Sequence, residues 1–231
     1  MEKPPKQTSI DWKISPSLLL RRHLLAPGAP LDLAFVPPLA RRRLSPLQRA
    51  AFSALHAIAA DLPPAYAIHF ASAGGELHLT DRLLSDWQTA RLVSPARFSA
   101  SVHNAAPGAW TVLAHNHHPY TAQAAGPDTP ELSLLDALLA PGLRLWLYAE
   151  EQPAPHALAL LLADPAVPLP PDAPELPPLA QLAFLPPDPS ATPPPPPFAT
   201  FADFFATLPP PAPAALPCPH CTLQLAPCPC P

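Results

Sequence analysis

Four cysteines close the chain as Cys218, Cys221, Cys228 and Cys230, spaced CPHC and then CPC, which is enough thiolate for one tetrahedral zinc ion. Prolines beside and between these thiols restrict how the backbone could wrap an ion. They are read as incidental to a biased tail, and no metal and no other cofactor is expected. His115, His117 and His118 are a second set of possible ligands, but they fall in a polar connection and are read as an exposed loop. His103, two residues after Ser101, has the types for a base and a nucleophile, and Glu150–Glu151 is the one adjacent carboxylate pair. That pair reads as a solvated strand end. Gly126, Pro127 and Asp128 form a tight turn before a helix, where a nucleophile elbow would sit, yet Pro127 stands where its Ser or Cys would be expected. No cysteine lies between Met1 and Pro217.

The elements that must position these residues follow from hydrophobic period and caps. Ser45 and Pro46 start a helix with Leu47, Ala50, Ala51, Ala54, Leu55 and Ile58 on one face, ending before Pro63. Ala65–Ala71 reads as a buried strand, turned by Gly74 and Gly75 into a helix through Thr89. A helix is expected from near Ser99 through Val112, then an extended run from Tyr120 to Ala125. Asp128 or Thr129 is the expected N-cap of the next helix, with Pro130 and Glu131 in its first turn and its end near Leu139. Strands at Leu143–Tyr148 and Ala157–Ala163 follow, and the alternation predicts a single α/β layered domain with a mostly parallel sheet.

Composition divides the chain further. Most of the 42 prolines in its 231 residues fall after residue 152, a stretch that also has no Lys or Arg. The expected organisation is an extension over residues 1–30, an α/β domain over 31–165, and a Pro/Ala-rich, partly irregular region over 166–231. The tract Pro193–Pro197 favours polyproline II backbone, and Phe198–Leu208 is expected to pack back as a short helix. A net charge of -4, with basic residues confined to small clusters, excludes a nucleic-acid footprint. No apolar run approaches the roughly 18 to 20 residues of a membrane span, and the N-terminus lacks a secretory core, so a cytoplasmic protein with reduced thiols is expected. No glycine pattern for phosphate binding is present.

The central segment resembles the beta-ketoacyl synthases of the thiolase superfamily through Asn104, Ala105, Ala106, Pro107 and Gly108, then Thr111, Val112 and Pro119. In that register the family's nucleophilic Cys falls at about Pro127. The chain is similar, more closely, to the short ketosynthase-like chain-length factors of aryl polyene (type II polyketide) biosynthesis. Three features carry this: Ser101-Val102-His103-Asn104-Ala105; Pro37-Pro38 before Arg41-Arg42-Arg43-Leu44-Ser45; and Phe70-Ala71-Ser72 with Gly75-Glu76-Leu77. Together they span roughly Leu31 to Glu151. Pro127 departs from the acidic residue usual in that family before the elbow Asp, and it removes a backbone donor.

The resemblance implies a thiolase-like fold, N-terminal half only, and a non-catalytic subunit paired as a heterodimer with a full-length beta-ketoacyl synthase. The arginine cluster suits the phosphate and acidic surface of an acyl carrier protein as second partner, beside the plainer reading of a solvated or subunit-facing basic turn. Ser101, Val102, His103, Asn104 and Gly108 are then shaping residues, and Trp110 is where an acyl tunnel would be sought. Two other readings stand beside this one: an acyl-thioester hydrolase or acyltransferase using His103 with Ser101, and a proline-rich adaptor docking an aromatic groove.

Overall fold

In β4 (Leu143–Glu150) and β5 (His156–Ala163) almost every side chain is buried, because layers cover both faces of the strands. The computed structural model describes residues 16–169, 171, 173, 175–186, 198–206, 208–210 and 212–228. Its other strands are β1 (Ser17–Leu25), β2 (Ala67–Ala71), β3 (Tyr120–Gln123), β6 (Ala180–Leu185), β7 (Ala214–Pro217) and β8 (Thr222–Ala226). Its helices are α1 (Pro38–Arg41), α2 (Pro46–Ile58), α3 (Leu77–Ala90), α4 (Pro95–Ala100), α5 (Ala105–Leu113), α6 (Thr129–Leu139) and α7 (Phe198–Phe204). One sheet runs in the order β3-β2-β4-β5-β1-β6-β8-β7.

The period of two along the strands sorts the core into two layers. Leu145, Leu147, Ala157, Ala159 and Leu161 face α2 and α5, whereas Trp146, Leu158, Leu160 and Leu162 face α6, α7 and the last hairpin. The α2 start is the one its sequence specifies: Ser45 Oγ accepts the Gln48 N–H at 3.0 Å and the Gln48 carbonyl oxygen accepts the Ser45 N–H at 3.4 Å. All six expected apolar positions of this helix are buried.

Four expectations are corrected. The sheet is mixed: β3, β2 and β4 are parallel, and every other pairing is antiparallel. Helical crossovers link β2, β3 and β4, but only a short loop joins β4 to β5, and such a connection makes a hairpin. Within the expected extension over 1–30, residues 17–25 form β1, which lies between β5 and β6 in the middle of the sheet. Its charges escape at the layer's rim, Arg21 Nε donating to Asp61 at 2.8 Å. The region after residue 166 adds three strands, and Phe201 of α7 packs against Trp146 with the rings tilted at 42° and their centroids 5.9 Å apart. Finally, the single helix expected from near Ser99 is two, because the chain turns at 101–104 with Ser101 Oγ donating to the Phe98 carbonyl at 2.9 Å. The tract Pro193–Pro197 lies outside the described residues.

Buried charge also holds the layers. Arg144, fully buried on β4, donates to the Gly142 carbonyl at 2.7 Å and to Ser17 Oγ at 2.5 Å, tying β1 to the far end of β4. Burial lowers its pKa to about 10. Glu76, 3% exposed, accepts from Gln48 Nε2 at 2.9 Å, and burial raises its pKa to about 7.

The sign of that shift makes a prediction. With its ordinary value at 4.5 and its folded value about 7, folded Glu76 keeps a proton that the unfolded chain has released between those limits. Its contribution to stability is therefore best at low pH and falls as pH rises through that window, by at most roughly 3 kcal/mol. In Glu76→Gln the loss disappears. Unfolding free energies of both proteins at about pH 5 and about pH 8 should show the gap between them shifting in the variant's favour at the higher pH; a gap independent of pH would contradict the assignment.

Candidate functional site

The turn between β3 and α6 has the frame of a nucleophile elbow, and Gly126 takes a φ of 56°, where a side chain would be strained. Thr129 braces it. Its hydroxyl donates to the Gly126 carbonyl at 2.6 Å and accepts the Ala125 N–H at 2.8 Å. Pro127 has no N–H, and the next two are used within the turn: Asp128 N–H donates to Ala125 O and Thr129 N–H to Gly126 O, each at 3.2 Å. Pro127 therefore offers no donor to an oxyanion and the Asp128 and Thr129 donors are taken, and none of Gly126, Pro127 and Asp128 carries a thiol or hydroxyl. Asp128 is the residue before α6, as expected, but its side chain caps no helical N–H.

His103 reaches the same end of the sheet from the 101–104 turn. Its Nε2 lies 2.9 Å from the Gln123 carbonyl at the end of β3, so this nitrogen carries the proton and donates. The ring packs against Gly75, whose φ is 60°; a Cβ there would meet His103 Nδ1 at 2.7 Å. His103 thus joins the β2–α3 turn to the end of β3. Ser101 Oγ donates elsewhere, to Phe98 O, so no Ser-His pair forms. Asn104 precedes α5 without capping it and is exposed. Gly108 makes room for Tyr120, whose hydroxyl would lie 3.2 Å from a Cβ at this position. Val102, Asn104 and Gly108 line a cleft of about 640 Å³ with Arg43, Gln48 and Tyr120.

Trp110 is placed apart from the elbow. It is 3% exposed in the layer facing α2, edge-on to Phe52 at 5.4 Å, with its Nε1 donating to the Tyr66 hydroxyl at 3.0 Å. The elbow helix α6 packs on the opposite face, through Leu134 and Ala137. Trp110 and the elbow, the two places named for an acyl tunnel, thus lie on opposite faces of the sheet. Arg41 folds back on Val36 O at 2.8 Å, leaving Arg42 and Arg43 as the exposed members of the cluster. His115, His117 and His118 are exposed, as read from the sequence.

Two groups of residues escaped the sequence reading. Glu150 and Glu151 are not a solvated edge. Glu150 accepts from the Ala73 N–H and, at 3.2 Å, from the Gly74 N–H, while buried Glu151 accepts the His78 N–H at 3.1 Å in the first turn of α3. Both carboxylates therefore clamp the β2–α3 turn, a pairing more than 70 residues apart that no local pattern signals. The second group is the β7–β8 turn, which lies over the start of α6: His220 Nε2 is 3.2 Å from Asp128 Oδ2, and the His220 N–H donates to Glu131 at 2.9 Å. Cys218 and Cys221 are buried in that turn. Strand β8 then carries the chain roughly 13 Å or more from it before Cys228, too far for one ion to take all these thiols. Cys230 lies outside the described residues.

Among the described residues no helix is long and apolar enough to cross a membrane. A family model described as beta-ketoacyl synthase, N-terminal domain, matches residues 12–168. No curated protein matches the chain. Among solved structures, one chain of a ketosynthase (ApeO) in complex with its chain length factor (ApeC) from Xenorhabdus doucetiae aligns with a TM-score of 0.66 at 20% identity, over 92% of this chain and 99% of that one. The ishigamide ketosynthase/chain length factor aligns with a TM-score of 0.56 at 16% identity, over 74% of this chain and 68% of that one. With the family model covering more than half of the sequence, the chain belongs to the beta-ketoacyl synthase N-terminal domain family.

Proposed function

We propose that this chain is a non-catalytic, ketosynthase-like subunit, a chain-length factor that pairs with a full-length beta-ketoacyl synthase in cytoplasmic aryl polyene or related polyketide synthesis. The elbow carries the reading: it keeps the strand, turn and helix, but has no thiol or hydroxyl at its tip, where Pro127 also lacks an N–H and the two N–H groups that follow are bonded within the turn. The complexes named for the similar structures support the kind of partner. A sheet edge supports the mode of pairing, since among the described residues β3 ends the sheet and has only β2 as a neighbour. Exposed apolar side chains stand on the two helices that precede it, Val112 on α5, which packs against β3, at 77% exposed and Phe98 on α4 at 61%. Arg42 and Arg43 supply exposed positive charge for an acyl carrier protein, with guanidinium suited to phosphate and carboxylate. In the complex, side chains at the elbow of this chain close one end of the partner's acyl tunnel and limit product length.

Loading tests the reading. Incubated alone with an acyl carrier protein bearing an acyl thioester, the chain should gain no acyl mass and release no acid, whereas its ketosynthase partner becomes acylated. An acyl adduct on this chain, or thioester turnover lost on His103→Ala, would contradict it and favour a hydrolase or acyltransferase.

A further inference from the structure

Glu131 stands in the first turn of α6 with only 1% of its surface exposed, and a carboxylate so placed needs partners for both oxygens. Oε1 has two, the His220 N–H at 2.9 Å and the Cys221 thiol at 3.2 Å. Oε2 has none. One donor atom from each of Asp128, Glu131 and His220 falls within 4.8 Å of the others, and His220 Nε2 and Asp128 Oδ2 are 3.2 Å apart. Two carboxylates and an imidazole therefore converge from segments that are 92 residues apart where His220 meets Asp128, and the Cys221 thiol lies against one of the carboxylates.

This donor set has a clear chemical preference. Oxygen and imidazole donors lie about 2.0–2.2 Å from a zinc ion and thiolate about 2.3 Å, so neighbouring ligands of a tetrahedron sit roughly 3.3–3.6 Å apart. Both contacts at 3.2 Å approach that spacing without an ion. Magnesium and calcium favour shells of oxygen alone, and a thiol with an imidazole disfavours them. We propose that Asp128, Glu131, His220 and Cys221 bind one Zn²⁺ ion, which clasps the β7–β8 hairpin onto the elbow. On binding, the Cys221 S–H bond breaks, its proton leaves to solvent, and the sulfur forms the bond to zinc; the charge of the two carboxylates and the thiolate then outweighs that of the ion by one. The unpartnered Glu131 oxygen acquires a cation, the turn is already closed by the Cys218 N–H bond to Cys221 O at 2.9 Å, and the Cys221 sulfur moves in from Glu131 to complete the set.

The experiment uses the full chain, stripped with a chelator, titrated with ZnCl₂ and desalted before elemental analysis and thermal unfolding. One zinc per chain and a rise in melting temperature are expected. His220→Ala and Asp128→Asn, at partly exposed side chains that the fold does not need, and Cys221→Ser should each weaken binding at least about tenfold. Cys228→Ser should leave it unchanged. Absence of retained zinc would overturn the proposal. So would binding that survives His220→Ala, or that is lost in Cys228→Ser, because the ion would then sit elsewhere.

Discussion

Val112→Glu on α5 is expected to weaken assembly with the ketosynthase by at least about a hundredfold while leaving the isolated chain folded. Val112 is 77% exposed, so in the free subunit the new carboxylate remains in water and stability changes by no more than about 0.5 kcal/mol. In a complex that closes over the β3 edge and its flank, the same charge is stripped of water against apolar surface without a partner, which costs several kcal/mol. Phe98→Asp on α4 is expected to act alike, from a side chain 61% exposed. Dissociation constants from surface-bound ketosynthase, with melting temperatures of the free variants, decide the matter: unchanged affinity would move the interface off this flank.

Gly75→Ala should destabilise the chain by about 2–3 kcal/mol, a large effect for a single methyl. The left-handed backbone at φ 60° costs a side chain roughly 1–2 kcal/mol, and the added carbon would lie 2.7 Å from His103 Nδ1. His103→Ala alone should cost only about 1 kcal/mol, because the Gln123 carbonyl it leaves still accepts the Ser72 N–H at 3.2 Å. In the double variant the clash is gone, so the sum of the single effects should exceed the measured loss by about 1 kcal/mol. Denaturant unfolding of the four proteins measures that coupling. Strict additivity would show that His103 does not press on this turn, and with it the clamp between the β2–α3 turn and β3 would fall.

These two sites differ in how much of them the sequence displays. Local signals are plain: the Ser45–Gln48 capping box, the apolar runs from Leu145 to Ala149 in β4 and from Ala157 to Ala163 in β5, and the Gly126-Pro127 turn each announce themselves within a few residues. The elbow without a thiol or hydroxyl was legible for the same reason. β1 was not, because Arg21, Arg22 and His23 interrupt its apolar pattern, and only the folded chain carries Arg21 to Asp61. Nor were β6 to β8, where prolines mask short strands whose apolar residues alternate, as in Leu223 and Leu225. Glu150, Glu151, Glu131 and His220 take their roles from partners more than 70 residues away, a distance over which spacing says nothing. The same long reach moved Cys221 from a set of tail cysteines to the side of the elbow.

The measurement that tests the central claim most directly is co-expression of this chain with a full-length ketosynthase, followed by mass determination of the eluted complex and a condensation assay on separate and recombined subunits. A one-to-one complex that condenses acyl units only when both chains are present is the expected result. Condensation by this chain alone, or its failure to associate, would contradict it.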